Sequence, residues 1–145
     1  MKIFIRFICM FILLSFSGCK AFSLDSVPYV ISGEFEMEDG SADYSICGVN
    51  FYLLNQHEKS ISKINIVFFL FDQDGEPACE CRSKISVEIK LDIEAGESAV
   101  FCMSLDQFMN SVPEYPLLVD YLYLAKIEYE DGSVWEDPYG LTAFR

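Results

Sequence analysis

The chain has 145 residues, of which 10 are Lys or Arg, 23 are Asp or Glu and one is His, so its formal net charge is −13. This length suits one domain, and a hydrophobic content of 52% is too high for an intrinsically disordered chain. The acidic balance argues against a direct nucleic-acid binder, which needs a basic surface. The single histidine also argues against most catalytic mechanisms that depend on this residue.

The first 18 residues have the three parts of a secretory signal peptide. Lys2 and Arg6 give a positive start, residues 7–16 form an apolar stretch, and two small residues follow. The apolar stretch is too short for a permanent membrane-spanning helix, which needs about 20 apolar residues. Removal of residues 1–18 takes away two bases and no acid, so the mature chain of 127 residues would carry a net charge of −15.

Cys19 follows this segment, and residues 14–19 read Leu-Ser-Phe-Ser-Gly-Cys. This stretch resembles the lipobox of bacterial lipoproteins, although Phe16 stands where that family usually has Leu, Val or Ile. The resemblance implies that the peptide is cut before Cys19 and that this cysteine carries a diacylglyceryl group. Anchoring would use several acyl chains, since one chain alone binds a membrane only marginally. Residues 19–27 would then form a lipidated tether, and Lys20 after the lipid site is compatible with sorting to the outer membrane.

From Pro28 onward the apolar residues recur at every second position, which is the period of a β-strand. Residues 85–93 show this most clearly, because every odd position is apolar and every even position is polar. Residues 29–37 alternate in a similar way, with Glu34 and Glu36 on the polar face. The further predicted strands cover residues 47–55, 61–72, 78–82, 98–104, 119–130 and 134–135.

Two of these predicted strands indicate which residues form the core. In residues 61–72, Phe68 and Leu70 lie on one face and would fill the core. The opposite face is also apolar, which predicts a central strand covered on both sides. In residues 119–130, the predicted inner face consists of Tyr121, Tyr123, Ile127 and Tyr129.

One short helix is predicted after Ser104. Ser104 and Gln107 fit a capping box, Asp106 lies in the first turn, and Pro113 stops the helix. The predicted fold is therefore an all-β sandwich of about seven or eight strands with one short helix, in a single domain over residues 28–145.

Residues 68–72 read Phe-Phe-Leu-Phe-Asp. They are similar to the F-x-L-Y-D motif of the FxLYD family of small bacterial immunoglobulin-like domains, with Phe71 in place of Tyr. Residues 91–101 also resemble a stretch of that family, although Ala95 stands where Pro is common. The resemblance covers about residues 47–105. It implies an immunoglobulin-like sandwich, a frequent association with lipoproteins, and no catalytic residues.

Four cysteines remain in the mature domain: Cys47, Cys79, Cys81 and Cys102. An even number in an exported domain predicts disulfides. Cys79 and Cys81 lie two positions apart on one predicted strand, and their parallel side chains disfavour a bond between them. Two sets of pairings stay open: Cys47–Cys79 with Cys81–Cys102, or Cys47–Cys81 with Cys79–Cys102. The alternatives are buried thiols and a four-thiolate metal site, although the paired spacing typical of zinc ligands is missing.

Other residue types that often carry chemistry do not form a motif here. Residues 72–76 depart from the spacing of a calcium-binding EF-hand and are predicted to form a hairpin turn. The acids at residues 128–137 could hold calcium, but charge clusters are usually solvated surfaces. His57 is predicted to be an exposed loop residue, because no motif supplies a nucleophile or an orienting partner. We therefore expect no cofactor, no metal site and no catalytic residues.

A candidate interaction loop lies near the C-terminus, where Trp135 and Tyr139 flank the acids Glu136 and Asp137. Aromatic and acidic side chains in one loop suit a cationic or sugar-like partner. We predict an interaction loop here because the segment follows the last predicted hairpin and contains these residue types.

The sequence predicts a lipoprotein of the bacterial cell envelope, held by its N-terminal lipid on the periplasmic or surface side of the outer membrane. It is expected to be non-enzymatic and to serve as a structural or interaction module for another envelope or extracellular protein. The alternative is an inhibitor or capture protein for a cationic partner such as a lysozyme-like enzyme. The mature charge of −15 favours that alternative through electrostatic steering.

Overall fold

Seven strands form two antiparallel sheets in the computed structural model, which describes residues 27–37, 40–78 and 84–143. The strands are β1 (Tyr29–Glu36), β2 (Gly48–Asn55), β3 (Ile61–Phe71), β4 (Lys84–Ile93), β5 (Ser98–Ser104), β6 (Leu118–Tyr129) and β7 (Val134–Glu136). One sheet has three strands in the order β1-β2-β5, and the other has four in the order β4-β3-β6-β7. The all-β prediction is confirmed, and the two sheets are consistent with a β-sandwich.

Several sequence predictions lie outside the described residues. These are the signal peptide at residues 1–18, the lipid site Cys19, the tether at residues 19–27 apart from its last residue, and the predicted strand at residues 78–82 apart from its first. That first residue, Ala78, is described and lies outside the seven strands. Within the three described ranges, no helix is long and apolar enough to cross a bilayer.

The core fills the space between the two sheets, and β3 contributes most to it. Phe68 and Leu70 are completely buried, as their shared face predicts. Phe51 on β2 meets Phe68 edge to face, with the ring centroids 5.4 Å apart, which is a geometry that the ring quadrupoles favour. β3 lies between β4 and β6, so its predicted central position is also confirmed.

Gly33 on β1 allows the two sheets to pack closely. A Cβ atom at this position would lie 2.9 Å from the Phe51 ring and 3.1 Å from the Leu122 side chain. Phe51 is only 1% exposed, and a ring so tightly enclosed has little room to move aside. A glycine is therefore required here by the packing of the core.

The helix predicted after Ser104 is absent from this described stretch, which forms a single turn instead. The Leu105 carbonyl accepts hydrogen bonds from the backbone nitrogens of Phe108 and Met109, and the helical pattern stops there. The Ser104 hydroxyl does accept a hydrogen bond from the backbone nitrogen of Asp106, as a cap would. One turn forms too few hydrogen bonds to offset the cost of helix nucleation, so the cap begins no helix.

The connections between strands gather at two ends of the sandwich. The proximal end consists of the start of β1 and residues 56–60, 94–97 and 130–133, and the distal end consists of residues 40–47, 72–78 and 105–117. At the proximal end, the backbone nitrogen of Gln56 donates to the Pro28 carbonyl. The buried Asn55 amide donates to the carbonyl oxygens of Lys59 and Glu94 in two neighbouring loops. The described chain therefore begins at the end opposite to the distal loops.

Candidate functional site

Five aromatic side chains and one lysine line a groove on the outer face of the four-stranded sheet, in the half nearer the distal end. The groove has a volume of about 430 Å³, and these six residues are Phe69, Phe71, Lys84, Tyr121, Tyr123 and Tyr139. Strands β3, β4 and β6 supply the first five, and the segment after β7 supplies Tyr139. We call this surface the aromatic groove.

Three of the five rings of the aromatic groove contact one another. Phe69 and Phe71 lie two positions apart on β3, and their ring planes differ by 6° with the centroids 6.3 Å apart. The Tyr121 ring meets Phe69 at 69° with the centroids 5.6 Å apart. Tyr121 is nevertheless 53% exposed, and Tyr139 is 78% exposed. Rings that support one another lose little side-chain freedom when a ligand packs against them.

Phe69 and Phe71 correct one prediction about β3. That strand was expected to be covered on both sides, but the two rings are only half-buried on the outer face. The neighbouring Val67 on the same face is buried, with 2% exposure. The outer face is therefore covered at Val67 and open toward the distal end.

Tyr121 and Tyr123 also lie on the outer face, opposite to the prediction from their alternation. Leu124 and Lys126 pair with consecutive residues of β3, so β6 has one extra residue between them. This bulge shifts the side-chain alternation of β6 by one position. As a result Leu124 is completely buried in the core, whereas Tyr123 lies on the side of the groove.

Tyr121 has an unusual backbone conformation. Its φ is 47°, in the left-handed region that is costly for a residue other than glycine. A second bulge occurs here, because β6 has an extra residue between Asp120 and Tyr123 relative to β3. The backbone nitrogen of Tyr121 donates to the Asp120 carboxylate over 2.7 Å, which stabilises the bulge. Strained residues often mark functional sites, and this one places an exposed ring at the groove.

Lys84 and Asp120 stand on the two sides of Phe69. Phe69 pairs with Lys84 on β4 and with Asp120 on β6, and paired residues of a sheet point to the same face. Both charged side chains are exposed. Because neighbouring strands lie about 4.8 Å apart, the two Cα atoms are about 10 Å apart. The groove thus has an aromatic floor with one cation and one anion beside it.

Asp137 fixes the segment that carries Tyr139. Its carboxylate accepts hydrogen bonds from the backbone nitrogens of Leu141 and Thr142, each at 2.9 Å, and from the Thr142 hydroxyl. Burial acts to raise the pKa of Asp137, but the hydrogen bonds from Thr142 and Leu141 outweigh it and the pKa is lowered. The ionised carboxylate therefore serves to shape this turn.

The four residues of the predicted interaction loop do not form one surface. Trp135 is half-buried and packs against Tyr29, with the ring centroids 5.7 Å apart. Glu136 is exposed on β7, and Asp137 is turned into the domain with 6% exposure. Of these four, Tyr139 is the one that lines the aromatic groove.

The distal end is acidic. The acids in its described loops are Asp43, Asp72, Asp74, Glu76, Asp106 and Glu114. Those described loop residues include no Lys or Arg, and Lys84 at the start of β4 is the nearest base in the described part of the chain. Val112 and Tyr115 are more than half exposed among these acids. The distal end therefore combines negative charge with exposed apolar side chains.

Asp72 begins a turn, as predicted for residues 72–76. One of its carboxylate oxygens accepts hydrogen bonds from the backbone nitrogens of Asp74 and Glu76, both at 2.9 Å. Gly75 has a φ of 80°, a conformation that this turn requires and that glycine adopts without strain. The carboxylate of Asp72 therefore organises the loop itself.

The acids near the C-terminus form ion pairs within the domain. Glu128 binds Lys126 at 2.6 Å and Lys63 at 2.9 Å, and these two hydrogen bonds lower the pKa of Glu128. Asp131 binds Lys59 at 2.7 Å. No group of three His, Cys, Asp or Glu side chains within the described ranges is placed to hold a metal ion.

His57 differs from its prediction as an exposed loop residue, because its side chain is half-buried. Its ring packs against Tyr129 with the centroids 4.7 Å apart. Its Nδ1 atom accepts a hydrogen bond from the backbone nitrogen of Lys59 over 3.2 Å. His57 thus helps to hold the loop between β2 and β3 on the domain.

Two of the four cysteines in the predicted disulfides are among the residues that the structure describes. Cys47 is completely buried and Cys102 is half-buried, whereas Cys79 and Cys81 lie outside the described residues. Each predicted bond includes one of the latter two, so the pairing stays a prediction. Burial raises the pKa of the Cys102 thiol, and nearby carboxylates raise it further, which disfavours a reactive thiolate there.

The aromatic groove and the distal end adjoin each other where β3 ends and β6 begins. Phe71 in the groove pairs with Leu118, which is 58% exposed and directly follows a distal loop. No protein-family model, curated protein or solved structure matches this chain. The chemistry of these two surfaces is therefore the basis for a functional proposal.

Proposed function

We propose that this chain is a lipid-anchored protein of the bacterial envelope whose immunoglobulin-like domain serves as a non-enzymatic interaction module. After removal of residues 1–18, Cys19 would carry the lipid and hold the domain at the outer membrane, on its periplasmic or surface side. The partner would be another envelope or extracellular protein. The contact surface would be the distal end of the sandwich.

The observation that carries this proposal is that the described chain begins at the proximal end of the sandwich, opposite to the distal loops. Pro28 is hydrogen-bonded to Gln56 at the proximal end, so a tether of residues 19–27 would attach the membrane anchor there. So short a linker keeps the proximal end close to the bilayer, and the distal loops then face away from it. The exposed Tyr115 lies on one surface with Asp72, Asp74 and Glu114. An apolar ring with acids around it resembles the apolar centre and polar rim of a protein interface.

The order of the strands supports the immunoglobulin-like part of the proposal. Lettered A, B, C, C′, E, F and G in chain order, the seven strands form the sheets A-B-E and C′-C-F-G. Immunoglobulin-like domains also place C, F and G in one sheet, and the variable type adds C′ to it. In the segment similar to the F-x-L-Y-D motif, Phe68 and Leu70 fill the core at the end of strand C.

The lipid anchor and the interaction surface are tested separately in the intact bacterium. Labelled palmitate should be incorporated into the full chain and lost in Cys19→Ala; equal labelling of both would remove the anchor from the proposal. For the interaction, a photo-cross-linking residue is placed at Tyr115 in the distal end. The matched control is Glu97, an exposed residue of the proximal end. We expect a discrete cross-linked protein from Tyr115 alone, and the absence of one would overturn the interaction function.

A cationic partner is the second candidate, and the acidity of the distal loops favours it. Opposite charge accelerates the encounter and makes binding sensitive to salt. The double variant Asp74→Asn/Glu114→Gln removes two exposed charges without adding bulk. Binding of a basic protein such as lysozyme that weakens with salt and in this variant supports capture of a cationic partner. Salt-insensitive binding of an envelope protein supports the leading proposal instead.

A further inference from the structure

We propose that the aromatic groove is a saccharide-binding site, which takes a neutral pyranose ring stacked on Phe69 between Lys84 and Asp120. This inference goes beyond the proposed function, because it concerns a different surface from the distal loops and a different class of ligand. The partner chemistry follows from three properties of the groove: its floor, its rim and its charge.

The floor of the groove suits the apolar face of a sugar. A pyranose ring carries mainly C–H groups on its two faces, and these groups are weakly positive. An aromatic face is negative because of its quadrupole, so it attracts such C–H groups. Phe69 and Phe71 contribute two nearly parallel, half-buried rings at the end of the central strand β3, and Tyr121 and Tyr139 extend this surface with large exposed areas.

The rim of the groove suits the edge of a sugar, where the hydroxyl groups lie. A hydroxyl both donates and accepts hydrogen bonds, whereas an ammonium only donates and a carboxylate only accepts. Lys84 and Asp120 supply one of each on opposite sides of Phe69. Hydrogen bonds of about 2.8 Å from these two groups would hold opposite edges of a sugar ring placed over Phe69.

The charge of the groove favours a neutral ligand. Lys84 and Asp120 stand on opposite sides of Phe69, so an ion over that ring would be attracted by one of them and repelled by the other, and would gain little from the pair. An anionic ligand would also be repelled by the chain as a whole, which has a net charge of −13. The described distal loops contain acids and no bases. At the rim of the groove, by contrast, the charge of Lys84 balances that of Asp120.

The size and rigidity of the groove agree with this ligand. Its volume of about 430 Å³ lies within the range of small-molecule sites and accommodates one or two sugar rings. Before a ligand arrives, the Tyr121 ring is held against Phe69, and the turn that follows Tyr139 is held by Asp137. Fixed contact groups reduce the entropy lost on binding.

The experiment is a binding titration by saturation-transfer NMR with the full chain in a detergent that has no sugar headgroup. The probes are the neutral disaccharides maltose, cellobiose and lactose, with glucosamine and glucuronate as the cationic and anionic comparisons. At least one neutral disaccharide should bind better than both charged sugars. Tyr139→Ala and Phe69→Ala should weaken that binding about tenfold, since each removes one ring contact. Lys84→Ala should weaken it by removing hydrogen bonds to the ligand. Asp120→Ala should weaken it further, because this carboxylate also accepts the hydrogen bond that stabilises the bulge at Tyr121.

Two control variants remove the same residue types, a tyrosine and a lysine, from surfaces outside the groove. Tyr52→Ala removes an exposed ring from the outer face of the three-stranded sheet, and Lys90→Ala removes an exposed lysine from β4 at the far end from the groove. Both should bind the disaccharide as the unchanged chain does. Phe69→Ala removes a half-buried ring and could unfold the domain, whereas Tyr139→Ala removes a ring that is 78% exposed. The Tyr139 variant therefore tests ligand binding even if Phe69→Ala is unstable.

Any of three results of the titration would overturn the proposal: no neutral disaccharide binds, a charged sugar binds better, or binding is unchanged in Tyr139→Ala. A protein cross-linked through Tyr139 in place of any saccharide would assign the groove to a polypeptide and would also overturn it. These results are distinguishable from failure of the interaction function, because that function is read from cross-links at Tyr115 in the distal end.

Discussion

The Tyr29 hydroxyl accepts a hydrogen bond from the backbone nitrogen of Leu124, 2.9 Å away, and this bond joins the two sheets. Tyr29 lies on β1 of the three-stranded sheet, and Leu124 lies on β6 of the four-stranded sheet. Both residues are buried. β7 pairs with residues 126–128 of β6, so the amide of Leu124 lies beyond its reach. A side chain from the opposite sheet therefore satisfies this buried donor.

Tyr29→Phe should destabilise the domain by about 1–3 kcal/mol, because it leaves the buried amide of Leu124 without its partner. The measurement is the free energy of unfolding in urea. The control is Tyr52→Phe, which removes a hydroxyl from a ring that is 40% exposed; its effect should stay within about 0.5 kcal/mol. Equal stability of the two variants would contradict a structural role for the bond between the sheets.

Tyr29 also predicts a loss of stability at alkaline pH. Burial raises its pKa to about 12, although the hydrogen bond from Leu124 acts in the opposite direction. In the unfolded chain the hydroxyl ionises near pH 10, so ionisation there favours the unfolded state. The stability that depends on the neutral hydroxyl is complete below pH 10 and is lost as the pH rises toward 12. The loss is at most about 2.7 kcal/mol, which is the equivalent of two pKa units.

The measurement for this second prediction is the free energy of unfolding at several pH values between 9 and 12. The unchanged chain should lose stability more steeply than Tyr29→Phe, which has no ionisable group at this position. Parallel curves for the two proteins would show that another group causes the alkaline effect.

Asp106 predicts a loss of stability at acidic pH, because it joins two distal loops. Its carboxylate accepts hydrogen bonds from the backbone nitrogens of Ser45 at 2.8 Å and Ile46 at 2.7 Å. These two bonds lower the pKa of Asp106 in the folded domain. The stability that they contribute is therefore present above pH 4, where the unfolded side chain is ionised, and is lost as the pH falls below that value.

Asp106→Asn should lower the melting temperature at pH 7 and flatten its dependence on pH below 4. The matched control is Asp43→Asn, an exposed acid in one of the same loops, whose side chain accepts neither of these two bonds. The control should keep the melting temperature of the unchanged chain at pH 7. A pH profile in Asp106→Asn that matches the unchanged chain would rule out Asp106 as the source of the acid effect.

The alternation of β3 shows what the sequence can predict. It placed Phe68 and Leu70 in the core because one regular strand with a buried face leaves no other choice. The alternation of β6 failed at Tyr121 and Tyr123, because the neighbouring Leu122 offers an equally apolar opposite face. A bulge of one residue decides between the two faces, and no local sequence signal marks it.

The candidate site was missed because strand pairing, and not local sequence, brings its residues together. The aromatic groove depends on residues from β3, β4 and β6, and these come together through the pairing of strands that are distant in sequence. The prediction of an interaction loop did include Tyr139, from its position in a C-terminal loop. It could not foresee that the carboxylate of Asp137 is used by the backbone of its own turn, a role that only the folded chain defines.

Gly33→Ala should destabilise the domain by about 1–3 kcal/mol through overpacking of the core. The backbone of Gly33 does not have a positive φ, so alanine suits its conformation and would by itself stabilise the chain by about 0.4–1 kcal/mol through the unfolded state. The added Cβ, however, would lie 2.9 Å from the buried Phe51 ring and 3.1 Å from Leu122. The Phe51 ring is only 1% exposed, so it has little room to move and we expect the clash to outweigh the gain.

The measurement is a double-mutant cycle with Phe51→Leu, read from urea unfolding. Leucine is smaller than phenylalanine at the point of contact, so the double variant should be more stable than the sum of the two single effects predicts, by about 0.5 kcal/mol or more. Ser32→Ala, an exposed neighbour on β1, serves as the control and should change the free energy of unfolding by less than about 0.5 kcal/mol. A stabilising Gly33→Ala, or additive effects in the cycle, would show that the two sheets can move apart here, and the packing reason for glycine would then be wrong.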